Sequence, residues 1–462
     1  MFSASTYIER RKKLKELVKT GLIFLPGNGD SPINYADNMY QFRQDSSFLY
    51  YFGLDKENIA AIIDVDKDQE FIFGNDRPIE DVVWMGPEEP LSDSAKKVGV
   101  ENTAPFTNLS GVLKSANEKA QKIHWLPQYR ADLIIKFEDW LGVHHSKVNK
   151  EASLDLIKAV ISQREFKSEE EIKEIELALD LSYEMNTTAM KLSHEGIYER
   201  EVWGVVAGIA HKLGGFASFP IIFSQNGQTL HNHHHDHLMK NGRLLILDSG
   251  AESPLHYASD ITRTFPVSGR FTDKQKAIYE IVLAANLKGI ELMKPGKTFK
   301  ECHLAATKVI TEGLINIGLM KGNADDAVAA GAHALFMPHG LGHHMGLDVH
   351  DCEGLGESYI GYDENHKRSD QFGLAYLRMG KELKPGHVIT VEPGCYFIPQ
   401  LIDNWKSEKK HTEFIHYDRL ESYRDFGGVR IEDDVVVTES GHRVLGKPIP
   451  KTVHDVETAC NS

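Results

Sequence analysis

The chain has 462 residues, 67 acidic and 52 basic side chains, and a formal net charge of -15. That acidic balance argues against a nucleic-acid binder, whose affinity rests on Lys and Arg meeting phosphates. With 41 % apolar and 26 % charged residues the composition is that of a globular chain, and at roughly 150 residues per domain the length allows about three domains without disulfide staples.

The N-terminal MFSASTYIERRKKLKEL lacks the apolar core of a signal peptide, and no apolar run nears the ~20 residues of a membrane span. Cys302, Cys352, Cys395 and Cys460 include no C-x-x-C pair, so they read as small buried hydrophobes in a reducing compartment. A cytoplasmic protein with neither membrane nor nucleic acid as partner is expected.

Tyr7, Ile8, Leu14, Leu17 and Val18 sit among charges at helical spacing. Leu22–Leu25 reads as a buried strand stopped by Pro26-Gly27. Apolar runs at Phe48–Phe52, Ala60–Val65 and Phe71–Phe73 complete a mixed α/β unit with few clustered His, Asp or Glu residues. The polar stretch 145–171 changes character, and a domain boundary is expected near residue 162, giving domains 1–161 and 162–462. Ser168 and Glu171 form a capping-box pattern opening a helix to about Met190. Thr272 with Gln275 and Thr298 with Glu301 start two more. Strands are signalled at Leu244–Asp248, Tyr257–Phe265, Val388–Glu392 and Val429–Thr438.

The chemistry lies in this second half. In LLILDSGAE four aliphatics end in Asp248, and a buried lone carboxylate is costly unless paired or ligating a metal. In YASDITRTFP, Asp260 follows a turn-rich loop, and a hairpin would bring it to Asp248, where two carboxylates repel unless a cation or proton lies between them. In HGLGHHMGLDVHD, His339, His343 and His350 fall within twelve residues among glycines. VITVEPG sets Glu392 at a strand end, and GGVRIEDDVVVT places Arg430 and Glu432 on one strand face. Singly, each has an ordinary reading: a turn Asp, an Asp paired with Arg263, a satisfied polar His, a solvated Glu beside Arg430. Jointly, four carboxylates and an imidazole suit two divalent ions such as Mn²⁺, Fe²⁺, Co²⁺ or Zn²⁺. Such a pair lowers the pKa of water from ~15.7 towards ~7, which is worth on the order of 12 kcal/mol.

These five ordered motifs resemble the pita-bread metallopeptidases, and within them aminopeptidase P and prolidase. FRQDSSFLYYFG and WMGP in the first half look like the smaller domain this subgroup carries. The resemblance implies an α+β chain: a creatinase/prolidase-like α/β domain, then a pita-bread (creatinase/aminopeptidase-like) catalytic domain. It implies that Asp248 chelates one metal, Asp260 and Glu432 bridge two, and His343 and Glu392 bind the second, with Glu392 also the proton shuttle. Mn²⁺ is the expected pair, with Co²⁺, Zn²⁺ or Fe²⁺ as alternates. It also implies that His339, His350 and His231 line the substrate pocket, that Arg430 supports the bridging strand, and that Arg378 meets a substrate carboxylate. Small proline-containing peptides are the implied partners, and a homodimer the implied assembly. The segment from Leu401 to Gly428 is long, as in prolidase, and with Arg378 it favours an Xaa-Pro dipeptidase over an aminopeptidase for longer peptides. A binding protein that has lost its ligands and a metal-free amidinohydrolase are the rival classes, and the complete ligand set speaks against both. The Asp248–Asp260 loop, with Pro254 inside, is one residue longer than in most relatives. The run His233–His237 matches no family motif and is expected to be solvated loop.

Overall fold

The side chains that open the long helices of the second half act as their spacing requires. Ser168 Oγ accepts from the Glu171 amide, and the Glu171 carboxylate accepts from the Ser168 amide. Thr272 with Gln275 and Thr298 with Glu301 form the same reciprocal pairs. Each box satisfies two amides of the first turn, which have no partner inside the helix. They begin the helices Glu169–Leu192, Asp273–Glu291 and Phe299–Asn316. The computed structural model describes all residues from Met1 to Ser462, and the chain separates into two compact units, Met1–Arg164 and Glu165–Ser462.

The first unit is built on strands β1 (Leu22–Pro26), β2 (Ala60–Asp64), β3 (Gln69–Phe73), β4 (Asn102–Ala104) and β5 (Ile123–His124), in spatial order β4-β3-β2-β1-β5. β1 lies between β2, antiparallel, and β5, parallel, so the LIFL run is buried along its length. Phe24, Phe73, Phe137 and Trp140 form its core. The apolar run Phe48–Phe52 lies in a helix, Ser46–Phe52, capped by the Asp45 side chain and ended by Gly53. Gly53 has φ +59, and a Cβ there would stand 2.2 Å from the Tyr7 ring. Glycine is therefore required on both counts.

The second unit contains three small antiparallel sheets. β6 (Ile222–Ser224), β7 (Leu244–Ser249) and β8 (Ile261–Pro266) form the first. β7 and β8 pair with Asp248 opposite Thr262, the hairpin expected from the sequence. β8 is shorter than expected, since Tyr257–Asp260 lies outside the ladder. The other two sheets come from one interrupted pair of strands. β9 (Val388–Val391) and β10 (Gly394–Tyr396) are separated by Glu392-Pro393, and β11 (Gly428–Arg430) and β12 (Asp433–Val437) by Ile431-Glu432. β10 pairs with β11 and β9 with β12, while β13 (His442–Val444) flanks β12. The continuous strand expected over Val429–Thr438 is thus broken. The cause sits in the partner: Pro393 has no N–H to give the ladder, so both strands leave their pairing at the same level. Glu392 and Glu432 occupy those facing breaks.

The large core of this unit packs Asp273–Glu291 against Phe299–Asn316. It also contains His303, fully buried with neither ring nitrogen hydrogen-bonded. Burial, helped by His333, pushes the His303 imidazole down to about 3. A group whose folded-state pKa is depressed below its unfolded ~6.5 contributes stability that is present above pH ~6.5 and lost as pH falls. At pH 5 this loss amounts to about 2 kcal/mol. His303→Leu is expected to abolish it: urea unfolding should show the variant gaining more on wild type at pH 5 than at pH 8.

Candidate functional site

Asp248 is the penultimate residue of β7, Asp260 directly precedes β8, and Glu392 and Glu432 sit at the two strand breaks. His343 comes from the Gly-rich loop. His343 N donates to Thr390 Oγ1 at 3.1 Å and Thr390 N to the His343 carbonyl at 3.1 Å. Gly342 is forced by the same approach, for a Cβ there would lie 1.9 Å from the Thr390 carbonyl oxygen. All five side chains line one cavity of about 790 Å³, within the usual range for a ligand site.

The proton positions inside this group can be read from its partners. His343 Nδ1 lies 3.0 Å from the His344 carbonyl oxygen, which can only accept, so Nδ1 carries the proton. Nε2 faces the carboxylates, 3.4 Å from Asp260 Oδ2 and 3.8 Å from Glu392 Oε1, and in the neutral imidazole it presents a lone pair to them. The ligand atoms of Asp260, His343 and Glu432 lie within 4.8 Å of one another. Asp248 Oδ1 and Asp260 Oδ1 are buried with no hydrogen-bond partner. Lone pairs facing lone pairs in a buried space repel unless cations sit among them, and a backbone carbonyl fixing the far imidazole nitrogen is the usual support of a metal-binding His. The residues therefore fit divalent ions. Without them, burial and the charges of Asp248, Asp434 and Glu392 hold the Asp260 carboxyl well above its ordinary range. Burial and Asp260 do the same to Glu432, and burial raises Glu392.

Arg430 supplies the fixed positive charge. Its guanidinium pairs with Asp248 Oδ2, Nη1 donates to Tyr396 Oη at 2.8 Å, and Nε donates to Thr262 Oγ1 at 3.1 Å. Thr262 Oγ1 in turn donates to Glu432 Oε2 at 2.6 Å. One Arg thus fixes carboxylates from β7 and from the break after β11. Glu432 lines the same cavity as Arg430, although the strand that should have carried both is interrupted.

His339 Nδ1 donates to the Gly340 carbonyl at 2.7 Å, and Tyr396 O–H donates to His339 Nε2 at 3.0 Å. Both nitrogens are engaged, and burial beside Arg430 pushes this imidazole down to about 3. His350 Nδ1 lies 3.0 Å from Glu353 Oε2, its ring 4.0 Å from that of His343, and burial beside His343 pushes it down to about 4. Both are neutral near pH 7. Arg378 pairs with Glu353 and Glu357 through Nη1, and Arg368 Nη2 lies 2.6 Å from Glu357. Both arginines line the cavity, as do His231 and His233. The run His233–His237 is a largely exposed loop, pinned at two points: His235 Nδ1 donates to the Phe223 carbonyl and its ring stacks on Trp203, while His237 Nδ1 meets Glu199.

Four residues of this network were missed in the sequence. Thr262 is two positions after Asp260 and so faces the same way along a strand, a signal that was available. Tyr396 directly follows EPGC, and Asp434 closes EDD, accepting from the Asp260 amide at 3.1 Å. Nothing local marks Glu353.

Metallopeptidase family M24 matches residues 173–439, and the aminopeptidase P N-terminal domain matches residues 7–124. Human Xaa-Pro dipeptidase is 32 % identical over 462 aligned positions, covering 98 % of this chain and 91 % of that one. A probable Xaa-Pro aminopeptidase of Metarhizium acridum is 32 % identical over 468 positions, covering 95 % and 90 %. The structure of Pseudomonas aeruginosa aminopeptidase PepP superposes with a TM-score of 0.82 at 30 % identity, covering 100 % of this chain and 98 % of that one. No helix is long and apolar enough to cross a membrane. With its smaller N-terminal domain and a carboxylate-lined cavity in the larger unit, the chain belongs to metallopeptidase family M24.

Proposed function

We propose that the chain hydrolyses the bond between an N-terminal residue and proline, with two divalent ions held by Asp248, Asp260, His343, Glu392 and Glu432. The observation that carries this reading is the convergence on one cavity of four buried or half-buried carboxylates and His343, whose Nδ1 is held by a backbone carbonyl so that Nε2 faces them. An oxygen-rich set with a single nitrogen suits Mn²⁺. When bound, such a pair supplies a nucleophilic hydroxide at neutral pH and Lewis-acid polarisation of the scissile carbonyl.

The protein's own groups do the rest. Glu392, raised by burial, takes the proton of the attacking water and returns it to the prolyl nitrogen, which leaves as a secondary amine. The bond is a tertiary amide, so no N–H needs a partner in the site. His350 has Nε2 left for the substrate once Nδ1 is committed to Glu353. Arg378, with Nη1 taken by Glu353 and Glu357, keeps part of its fork for a carboxylate. That placement supports a dipeptidase, in which the carboxylate after proline is the one recognised. The second reading, an aminopeptidase for longer peptides, is favoured by relatives such as the Metarhizium protein and by the PepP fold match. A homodimer belongs to the same proposal: the helix Ile79–Met85 exposes Ile79, Val83, Trp84 and Met85 by 68–85 %, an apolar face that a second copy would cover. The four free cysteines suit a reducing cytoplasm.

Three outcomes are expected. Gly-Pro should be turned over far faster than a longer Xaa-Pro peptide, and efficient cleavage of the longer peptide would reject the dipeptidase reading in favour of the aminopeptidase. Glu392→Ala should abolish turnover with an unchanged circular-dichroism spectrum; near wild-type rates would remove Glu392 from its role. Thr262→Val should lower Mn²⁺ affinity by about 10–100-fold, the usual cost of removing support behind a ligand, as read by equilibrium dialysis.

A further inference from the structure

A second group of metal-ligating side chains lies outside the catalytic cavity. Glu165, His344 and His387 place one ligand atom each within 4.8 Å of one another. His344 is 2 % exposed and His387 fully buried. Neither nitrogen of His344 has a hydrogen-bond partner, nor does His387 Nε2, which lies 3.8 Å from Glu165 Oε2. A buried polar atom left unpaired forfeits the hydrogen bonds it had in water. Three such atoms at one place, on two imidazoles whose rings are 4.9 Å apart, ask for a common partner. The Glu165 carboxylate is at present neutralised by Lys381 Nζ, whose side chain keeps 12 % exposure.

We propose that Glu165, His344 and His387 form a third, mononuclear metal site of the Zn²⁺ type. Two imidazoles and a carboxylate are a known zinc triad, with water as the fourth ligand. Zinc ligand atoms stand ~3.4 Å apart, so these side chains close in by about 1 Å. Capture exchanges one cation for another: the Lys381 ammonium leaves Glu165 for solvent with its proton. His387 moves its single proton from Nε2 to Nδ1, giving up the 3.3 Å contact from the Lys384 amide. Water reaches the open position beside Glu165 and Lys381, which retain 13 % and 12 % exposure.

The site would brace the catalytic loop. The His344 carbonyl accepts from His343 Nδ1, and Met345 N donates to the Val388 carbonyl of β9. Lys167 N donates to Gly386 O, and Phe166 stacks on His387. A metal here would fasten the segment after Arg164, the loop carrying His343 and the start of β9 at one point.

The test is a difference in zinc uptake by the full chain, so it stands apart from the number of ions in the catalytic cavity. With Zn²⁺ alone in equilibrium dialysis, His344→Phe/His387→Leu is expected to bind one ion fewer per chain than wild type. Lys381→Met, which removes the competing ammonium, should tighten that one ion at least tenfold. Glu165→Gln, which keeps side-chain volume, should weaken it at least tenfold and covers the case in which the double variant does not fold. Equal uptake by wild type, the double variant and Glu165→Gln would overturn the proposal and leave a polar core pocket holding water only. No gain in Lys381→Met would also overturn it.

Discussion

Four carboxylates that cannot share a dry space unaided are the constraint behind the second unit. Asp248, Asp260, Glu392 and Glu432 are drawn from two strand ends and two strand breaks to one cavity. At the separations seen here, their mutual repulsion and the cost of burying each charge are far larger than one hydrogen bond returns. The surroundings answer with fixed positive charge and a donor: the Arg430 guanidinium on Asp248 and the Thr262 hydroxyl on Glu432. What is left over, two orphan carboxylate oxygens and the Nε2 face of His343, is the shape of a cation site.

The interrupted strands are how the backbone meets this demand. In a continuous ladder Glu392 and Glu432 would be held by strand pairing alone. Pro393 ends β9 and forces its partner to part at the same level, so two glutamates arrive from opposite sides of one gap. The freed amides are reused: Glu432 N donates to the Thr262 carbonyl and Glu392 N to the Leu341 carbonyl. Arg263, 1 % exposed, donates to the Thr262 and Glu432 carbonyls and pairs with Asp433. The break is therefore hydrogen-bonded throughout, as buried backbone must be.

The histidines divide by what their second nitrogen touches. His343 gives its proton to a carbonyl and offers Nε2 to the carboxylate cluster, a ligand's posture. His339 has both nitrogens occupied and is part of an Arg430–Tyr396–His339 chain. His350 leans on Glu353, which also holds Arg378, so residue types that look alike in the Gly-rich motif are given different work by their neighbours.

How much of this the sequence decided follows from the range of each interaction. The capping boxes at Ser168, Thr272 and Thr298, the buried strands at Leu22 and Leu244, and the hairpin that brings Asp260 back to Asp248 depend on contacts a few residues apart, and all were legible. The family's five motifs likewise contained Asp248, His339, His343, His350, Glu392 and Glu432, which line the cavity from β7, the loop and the two breaks. The splitting of Val429–Thr438 was not legible, because its cause is a proline some 40 residues away in the partner strand. Glu353 became a hub only when the fold set Arg378 beside it and His350. Local propensity and the family motifs pointed to the groups proposed to carry the chemistry; the ion pairs, the hydrogen bonds and the gap that receives the carboxylates were decided by strands meeting across long stretches of chain.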